Sequence, residues 1–323
     1  MIGCATQKSI IRSVIMFPLF KKSSPSGSPS KAHLSFRFME EKDLEMVMNW
    51  CKEEKWNVGM YDAAAYYALD SKGHFLFLLD KKPIGAISMV KYSHNLFAIG
   101  AFIVKKEYRN KGFGSQIWHY AIEILKKNNN ATSCLYSVPA QISRYAASGF
   151  QSDFHIQRWK KSFIKQPTSK MEESTTNLKQ LNSIPIESII EYDQSIFSVS
   201  RKKLLAKFIQ NENIVGFAST DDSGQITGFG LIRPCINGYR IGPLYADHIG
   251  NAQKLFQTLL NNVNSTVFID APSHNPHIEQ FASYFNLERV SKEDTAAMFR
   301  REVPDSLRTN NHKNYAICSL EVG

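Results

Sequence analysis

The chain has 323 residues, 43% hydrophobic and 21% charged, with a formal net charge of +10; that length suggests two domains, and no stretch approaches the roughly 20 apolar residues a membrane-spanning helix needs. Half of the charge lies in residues 1–33, where Lys8, Arg12, Lys21, Lys22 and Lys31 meet no Asp or Glu. The remaining +5 suits a protein receiving a small anionic ligand as well as one gripping a phosphate backbone, and no nucleic acid or membrane is expected as a partner. The five cysteines, Cys4, Cys51, Cys134, Cys235 and Cys318, form no CxxC pair or zinc-ligand spacing and read as reduced thiols of a cytoplasmic protein.

Residues 1–33, with "VIMFPLF" broken by Pro18 and the Ser/Pro/Gly run "KKSSPSGSPSK", read as a disordered basic leader, with organelle targeting as an alternative. From Leu34 the pattern is regular. "LSFRFM" alternates as a strand, Leu44, Val47, Met48 and Cys51 fall at helical spacing, and "HFLFLLD", "IGAISMVKYS" and "LFAIGAFIV" predict an antiparallel meander. After the loop "RNKGFG", Ile117, Ala121, Ile124 and Leu125 make one apolar helix face ending in "KKNNN"; "ATSCLYSV" is a strand and "AQISRYAASGF" a short helix stopped by Gly149.

The segment 164–177 is a polar linker. Beyond it the order recurs loosely: a helix through "SRKKLLAKFIQ", strands "IVGFAST", "ITGFGLIR" and "YRIGPLYA", a helix "NAQKLFQTLL", a strand "TVFIDAP", a helix "PHIEQFASYF" and a closing strand "NYAICSLEVG". The chain is therefore expected to hold a domain at 34–163 and a diverged repeat of it at 178–323.

The loop at residues 109–114 joins a strand to a helix. Backbone amides at a helix N-terminus are unsatisfied donors with partial positive charge, a natural seat for phosphate. Gly112 and Gly114 leave those amides open, and Arg109 and Lys111 add cationic charge; a pyrophosphate fits, although a tight strand-to-helix turn alone would also need glycines. GxxxxGK[ST] is absent, and the preceding strand belongs to an antiparallel set rather than a βαβ unit, so neither common nucleotide-binding fold is supported.

Arg109-Asn110-Lys111-Gly112-Phe113-Gly114 resembles the R/Q-x-x-G-x-G/A signature of GNAT acyltransferases, and "YAASGF", residues 145–150, is similar to that family's Y-x-x-x-G-F segment. "KWNVGMYDAAAYYALD", "YDQSIFSVSRKKLL", "GFGLIRPCINGYRIGPLYAD" and "SLEVG" resemble a subgroup with a second GNAT-like half; Val58 stands where a proline is usual and Ala297 where an arginine is expected. The resemblance implies an α+β fold of tandem GNAT-like domains, each a mixed, mostly antiparallel sheet flanked by helices. It implies acetyl-CoA as cosubstrate, no metal, and a primary amine of a small molecule or peptide as acceptor, attacking the thioester directly. Phe102, Ile103, Val104, Arg109, Asn110, Lys111, Gly112, Phe113, Gly114 and Ser115 would hold the cofactor, and Tyr145 would protonate the departing thiolate or only pack against it.

A general base is not legible: "LFAIGAFIV" has no carboxylate where many relatives place a glutamate. Asp62 is a candidate, with helix capping as its alternative role. Trp56 and Asn57, with Asp193, Arg201, Tyr245 and Asp270, are candidates for the acceptor wall or the interface between halves, and His119 is expected at the surface. The second half has "YADHIGNAQ" where the glycine loop should be, and Asp247 would oppose a phosphate, so this half is expected to lack coenzyme A and to pack on the first. The competing function is a catalytically silent acyl-CoA-binding module whose second half recruits a partner. A monomer or weak dimer is expected, since the paired halves can replace the dimerisation of single-domain relatives.

Overall fold

The computed structural model describes residues 34–129, 131–162 and 177–322; the leader and nearly all of the linker lie outside them. The first half runs β1 (Leu34–Phe38), α1 (Glu41–Glu53), α2 (Asp62–Leu69), β2 (His74–Leu79), β3 (Lys82–Lys91), β4 (Leu96–Val104), α3 (Phe113–Lys127), β5 (Thr132–Ser137), α4 (Ile142–Ala146) and β6 (Gln151–Lys161). The second runs β7 (Asn177–Gln180), α5 (Ile186–Phe197), α6 (Lys202–Ile209), β8 (Val215–Thr220), β9 (Ile226–Cys235), β10 (Gly238–Ala246), α7 (Ile249–Leu260), β11 (Val267–Pro272), α8 (Ile278–Tyr284), β12 (Glu288–Arg289), β13 (Thr295–Arg300), α9 (Asp305–Thr309) and β14 (Asn314–Ala316).

All fourteen of these strands join one sheet, ordered β1-β2-β3-β4-β5-β13-β6-β11-β10-β9-β8-β7, with β12 on β6 and β14 on β10. Pairing is antiparallel except for β4 with β5 and β10 with β11. At the centre the halves exchange strands: β6 leaves β5 and pairs with β11, while β13 from the second half takes the place beside β5. β6 and β13 also pair with each other, so the order is symmetric about them. Neither half completes its sheet from its own strands.

Alternation along the strands divides the core. On one face α3 sets Ile117, Ala121 and Leu125 against Ile87, Phe97 and Leu135, and α7 does the same in the second half with Leu255, Phe256 and Leu259 against Ile241 and Ile269. On the other face α1, α2, α5 and α6 share one core, in which Leu44, Val47 and Tyr66 meet Leu204, Phe208 and Phe229. Burying each such side chain contributes about 1.5–3 kcal/mol. This joint core, like the exchanged strands, makes the halves one structural unit.

Three helices stand beyond the sequence reading: α2, α5 and the short α9. In α2 the buried residues include Ala63, Ala65 and Tyr66, an apolar surface without a clear stripe, because the helix is covered by α1 and α6. In α5 the spacing Ile186, Ile189, Ile190 and Ile196 is helical and carries the signal. The closing strand is shorter than expected: pairing ends at Ala316, and Ile317 N–H donates to Asp270 O at 2.9 Å. No helix among the described residues is long and apolar enough to cross a membrane.

Candidate active site

β4 and β5 pair from Leu96 to Ile99 against Thr132 to Leu135 and then part. A register shift against β3 follows, where Ala101 takes a positive φ of 44°; such bulges bend the strand and re-aim its side chains. Beyond it Ala101 and Ile103 pack toward α1 and α2, and Phe102 and Val104 toward α3. Lys105 N–H donates to Ile84 O at 2.9 Å, so by alternation Ile103 turns its backbone groups to β3, and the amides of Phe102 and Val104 face the gap. Of the three β4 residues expected at the cofactor, Ile103 is thus the one without a backbone group to offer.

The loop 109–114 closes onto this gap. Gly112 is the N-cap of α3 with φ 80°, a conformation glycine adopts without steric cost, and the space around its missing Cβ is open. A Cβ on Gly114 would lie 3.7 Å from Val104 Cγ2 and 4.0 Å from Phe102 Cζ, so the helix start stands against the outward side chains of β4. The first turn of α3 carries no acid, and Lys126 and Lys127 lie in its last turn, the charge order that leaves the N-terminus attractive to an anion. Phe113, Gly114 and Ser115 head this helix, and Asn110 and Lys111 are exposed on the loop. Lys111 Nζ donates to Glu107 O at 2.9 Å.

Arg109 does not stand free as its sequence position suggests. Its Nε donates to Val104 O at 2.8 Å and its Nη2 pairs with Glu54 at 2.8 Å, which holds the Glu54 carboxyl below its usual range. The guanidinium locks the loop to the end of β4 and of α1, with much of its charge already met.

Tyr145 lies on α4, its ring 4.8 Å from Trp118, which stacks on Phe102 at 5.9 Å. Trp118 is held in turn by its Nε1–H donating to Ser148 Oγ at 2.8 Å. Tyr145 is half-buried, its hydroxyl has no hydrogen-bond partner among the described residues, and burial raises its pKa. The phenol is therefore protonated and able to donate. His119 is exposed.

Of the other named candidates, Asp193, Arg201 and Tyr245 bond one another within the second half, with Arg201 Nη1 left without a hydrogen bond among the described residues; the rest join the halves. Asp62 is fully buried on the first turn of α2, with Tyr61 as N-cap. It accepts from Arg233 Nε at 2.8 Å, from Tyr66 Oη at 2.8 Å and from Gly59 N–H at 3.2 Å. Burial would raise its pKa, but Arg233 and Arg240 prevail and hold it below the carboxylate range. A carboxylate closed off by an arginine cannot meet an acceptor amine, so Asp62 serves as a strut rather than a base or a substrate contact. Asn57 Oδ1 accepts from Asn237 N–H at 3.0 Å and Met60 N–H donates to Pro234 O at 2.9 Å. With Trp56 packed into the joint core, the whole "WNVGM" segment docks on the end of β9 and the turn that leads to β10. Asp270 pairs with Arg158 at 2.6 Å and with Arg240 at 3.0 Å. Ala297 is buried on β13 between Tyr136 and Phe154.

Sequence reasoning missed the role of the C-terminal segment. Residues 319–322 cross the joint core face of β4, where the backbone of Glu321 leaves no room for a Cβ on Gly100. Tyr66 Oη lies 2.9 Å from Ser319 Oγ and 3.1 Å from Glu321 Oε2, and Tyr92 Oη donates to Val322 O at 2.7 Å. Gly100 was the one local sign, a small residue amid apolar ones where another backbone comes close.

The second half repeats the gap and fills it. β10 and β11 pair from Tyr239 to Ile241 against Val267 to Ile269 and then part. β14 lies along β10 at Leu244 and Tyr245, and Ile317 N–H reaches Asp270 O. Ahead of α7, Asp247 pairs with Lys313 at 2.9 Å and accepts from Tyr192 Oη at 3.0 Å.

Known proteins share these features. A profile of the GNAT acetyltransferase family matches residues 42–150, and one of the GNAT acetyltransferase domain matches 189–316. The chain is 26% identical over 283 residues, 87% of its length and 92% of the relative's, to holothin acyltransferase of Pseudoalteromonas sp.. It is 24% identical over 173 residues to an uncharacterised protein of Caenorhabditis elegans, covering 51% of this chain and 54% of that one. Among solved structures, a candidate acetyltransferase of Pyrococcus horikoshii superposes with a TM-score of 0.72 at 18% identity, covering 94% of this chain and all of that one. A tandem GNAT protein from the clavulanic acid biosynthesis pathway gives 0.56 at 13% identity, covering 83% of this chain and 98% of that one. Saccharomyces cerevisiae N-myristoyltransferase gives 0.59 at 13% identity, covering 93% and 89%. With one family match in each half and a GNAT fold throughout, the chain belongs to the GNAT superfamily of acyltransferases as a tandem member.

Proposed function

We propose that the protein is an acetyl-CoA-dependent N-acetyltransferase acting on a primary amine, with the acyl donor held in the gap between β4 and β5 of the first half. The observation that carries this reading is the gap left where β4 parts from β5, with the α3 N-terminus set against the outward side chains of β4 and the Tyr145 ring packed on Trp118, which stacks on Phe102. The pyrophosphate would rest on the amides of Gly112, Phe113, Gly114 and Ser115, beside Lys111 and Asn110. The pantetheine arm would pair with the free edge of β4 at Phe102 and Val104, whose amides also suit a developing oxyanion because they are fixed before reaction.

The amine attacks the thioester carbonyl directly, and placement of the two reactants supplies much of the rate. Tyr145 donates its proton as sulfur gains charge. A short acyl group is favoured because β4 and β5 close together at Ile99 and Leu135, while residues 319–322 press on Gly100. The second half holds no acyl-CoA in this account, because β14 lies where the donor would be, and the protein acts as a monomer, since its halves already exchange strands. Transfer from acetyl-CoA to a panel of small amines, followed by release of free thiol, tests the reading: turnover that is lost in Gly114→Glu supports it. A folded protein that binds acetyl-CoA but acylates no amine would replace it with a silent acyl-CoA-binding module.

A further inference from the structure

The bulge beside the gap sits on an alanine. β3 advances two residues from Ala86 to Ser88 while β4 advances three from Gly100 to Ile103, so β4 carries one extra residue. The chain absorbs it at Ala101, with φ 44°. A residue other than glycine reaches this left-handed region at a cost in free energy and stays there only where its surroundings fix it. Glycine, which would carry no such cost, stands one position earlier at Gly100. The conformation of Ala101 therefore points to a contact outside β4 that holds it.

Residues 318–322 of the second half make that contact. A Cβ on Gly100 would run into the carbonyl of Glu321, and Cys318 and Val322 share one buried cluster with Ala101 and Ile103. The segment is itself tied down by buried groups. Arg233 Nη2 donates to Cys318 O at 2.7 Å, and Ser319 Oγ accepts from the N–H groups of Glu321 and Val322 at 2.9 and 3.2 Å. Arg240 gives Nη2 to Asp270 at 3.0 Å and brings Nη1 to 3.7 Å from the Glu321 carboxylate. That Nη1 is buried and makes no hydrogen bond, so the Glu321 charge is what answers it. Both side chains are buried, and a buried charge that loses its partner is strongly disfavoured, which fixes Glu321 in place.

We infer that residues 318–322 clamp the β4 bulge, and that Glu321 and Arg240 are positioning residues for the gap in the opposite half. The extra residue at the bulge decides which amides face that gap. If the bulge relaxed, the strand would slip by one residue, turning the Phe102 amide to β3 and the Ile103 amide outward. The clamp thus sets the donor offered to the pantetheine arm and to the developing oxyanion, from a half that holds no acyl donor itself. Its catalytic consequence rests on the acyl-transfer reading above; the clamp itself rests on the contacts alone.

The test uses the full chain and two readouts, amide hydrogen exchange along β4 and turnover of acetyl-CoA with an amine panel. Glu321→Ala should speed exchange of the Ile103 N–H about tenfold or more and leave the amides of α7 unchanged. In the same variant kcat per acetyl-CoA site, with sites counted by calorimetry, should fall about tenfold or more, the scale of a misplaced donor. Affinity for acetyl-CoA should stay within about threefold, since the pyrophosphate seat on α3 is untouched. Glu321→Gln, which keeps the shape and the hydrogen bonds, should recover part of both losses. A role in stability alone would lower the number of sites per chain and speed exchange everywhere, with kcat per site unchanged. If Glu321→Ala does not fold, Ser319→Ala, which frees the N–H groups of Glu321 and Val322, decides the question in the same assays. Unaltered exchange at residues 101–104 in a folded variant overturns the clamp, and unaltered kcat per site overturns the positioning role. An unaltered protein that turns over no amine sinks the transfer reading instead, and the exchange result still decides the clamp.

Discussion

In the first half β4 and β5 part after Ile99 and Leu135, and the gap stays open toward α3; in the second β10 and β11 part after Ile241 and Ile269, and residues 314–317 fill it. The helices that follow differ in the same sense. α3 starts from a left-handed glycine with no acid in its first turn, whereas α7 starts after Asp247, itself held by Lys313. One scaffold thus yields a cleft or a plugged wall according to what the chain does after its last crossing helix. The exchange of β6 and β13 then makes the plugged half a necessary support for the open one.

The union of the halves is the first thing to break. Arg233 of β9 faces Asp62 of α2 in a buried pair, and Arg233→Met leaves that carboxylate without its ion-pair partner, with an expected cost of about 3–5 kcal/mol. Urea melts monitored by fluorescence check this, and Asp62→Leu in the same chain should restore part of the loss. The Asp62 pKa is depressed in the fold, so its share of stability is present above the unfolded value near 4 and is lost as pH falls through the lower native one.

The contrast between the two gaps sharpens next. Gly114→Glu places a carboxylate against the outward face of β4 and should weaken acetyl-CoA binding by about 100-fold or more, the scale of two or three kcal/mol. Gly250→Glu makes the matching change on exposed α7 and should leave affinity within about twofold. Tyr145→Phe tests the chemistry inside the open gap: kcat should drop about 10- to 100-fold with the KM for acetyl-CoA held, as for loss of a general acid. An unchanged kcat would reduce Tyr145 to a packing role.

The smallest effect concerns His274, which stacks edge-on against Phe154 at 3.9 Å, its pKa lowered to about 4 by burial. Between pH 6.5 and 4 the unfolded chain binds more protons there than the native one, so stability falls as pH falls through that window. His274→Asn should flatten the melting temperature against pH by about 2–4 °C across it.

Much of this was legible in sequence because it is local. The glycine loop, the amphipathic face of α3, Tyr145 before "GF" and the meander each carry their signal within a dozen residues. What was hidden is long-range. "DFHIQRW" and "TAAMF" alternate equally well beside either partner, so the exchange of β6 and β13 leaves no mark in composition or period. Arg109 reads as a phosphate cation until Glu54, some 50 residues earlier, is seen to hold it. Asp62 reads as a base or a cap until folding encloses it with Arg233, and Arg201 shows its unpartnered Nη1 only once Asp193 and Tyr245 have taken the rest of its guanidinium.

The central claim is that only the first half holds the acyl donor. Calorimetric titration of acetyl-CoA into the whole protein, beside Gly114→Glu and Gly250→Glu, tests it most directly. The account predicts one saturable site per chain, lost in the first variant and kept in the second. Two sites per chain, or binding that survives Gly114→Glu and disappears with Gly250→Glu, would contradict it.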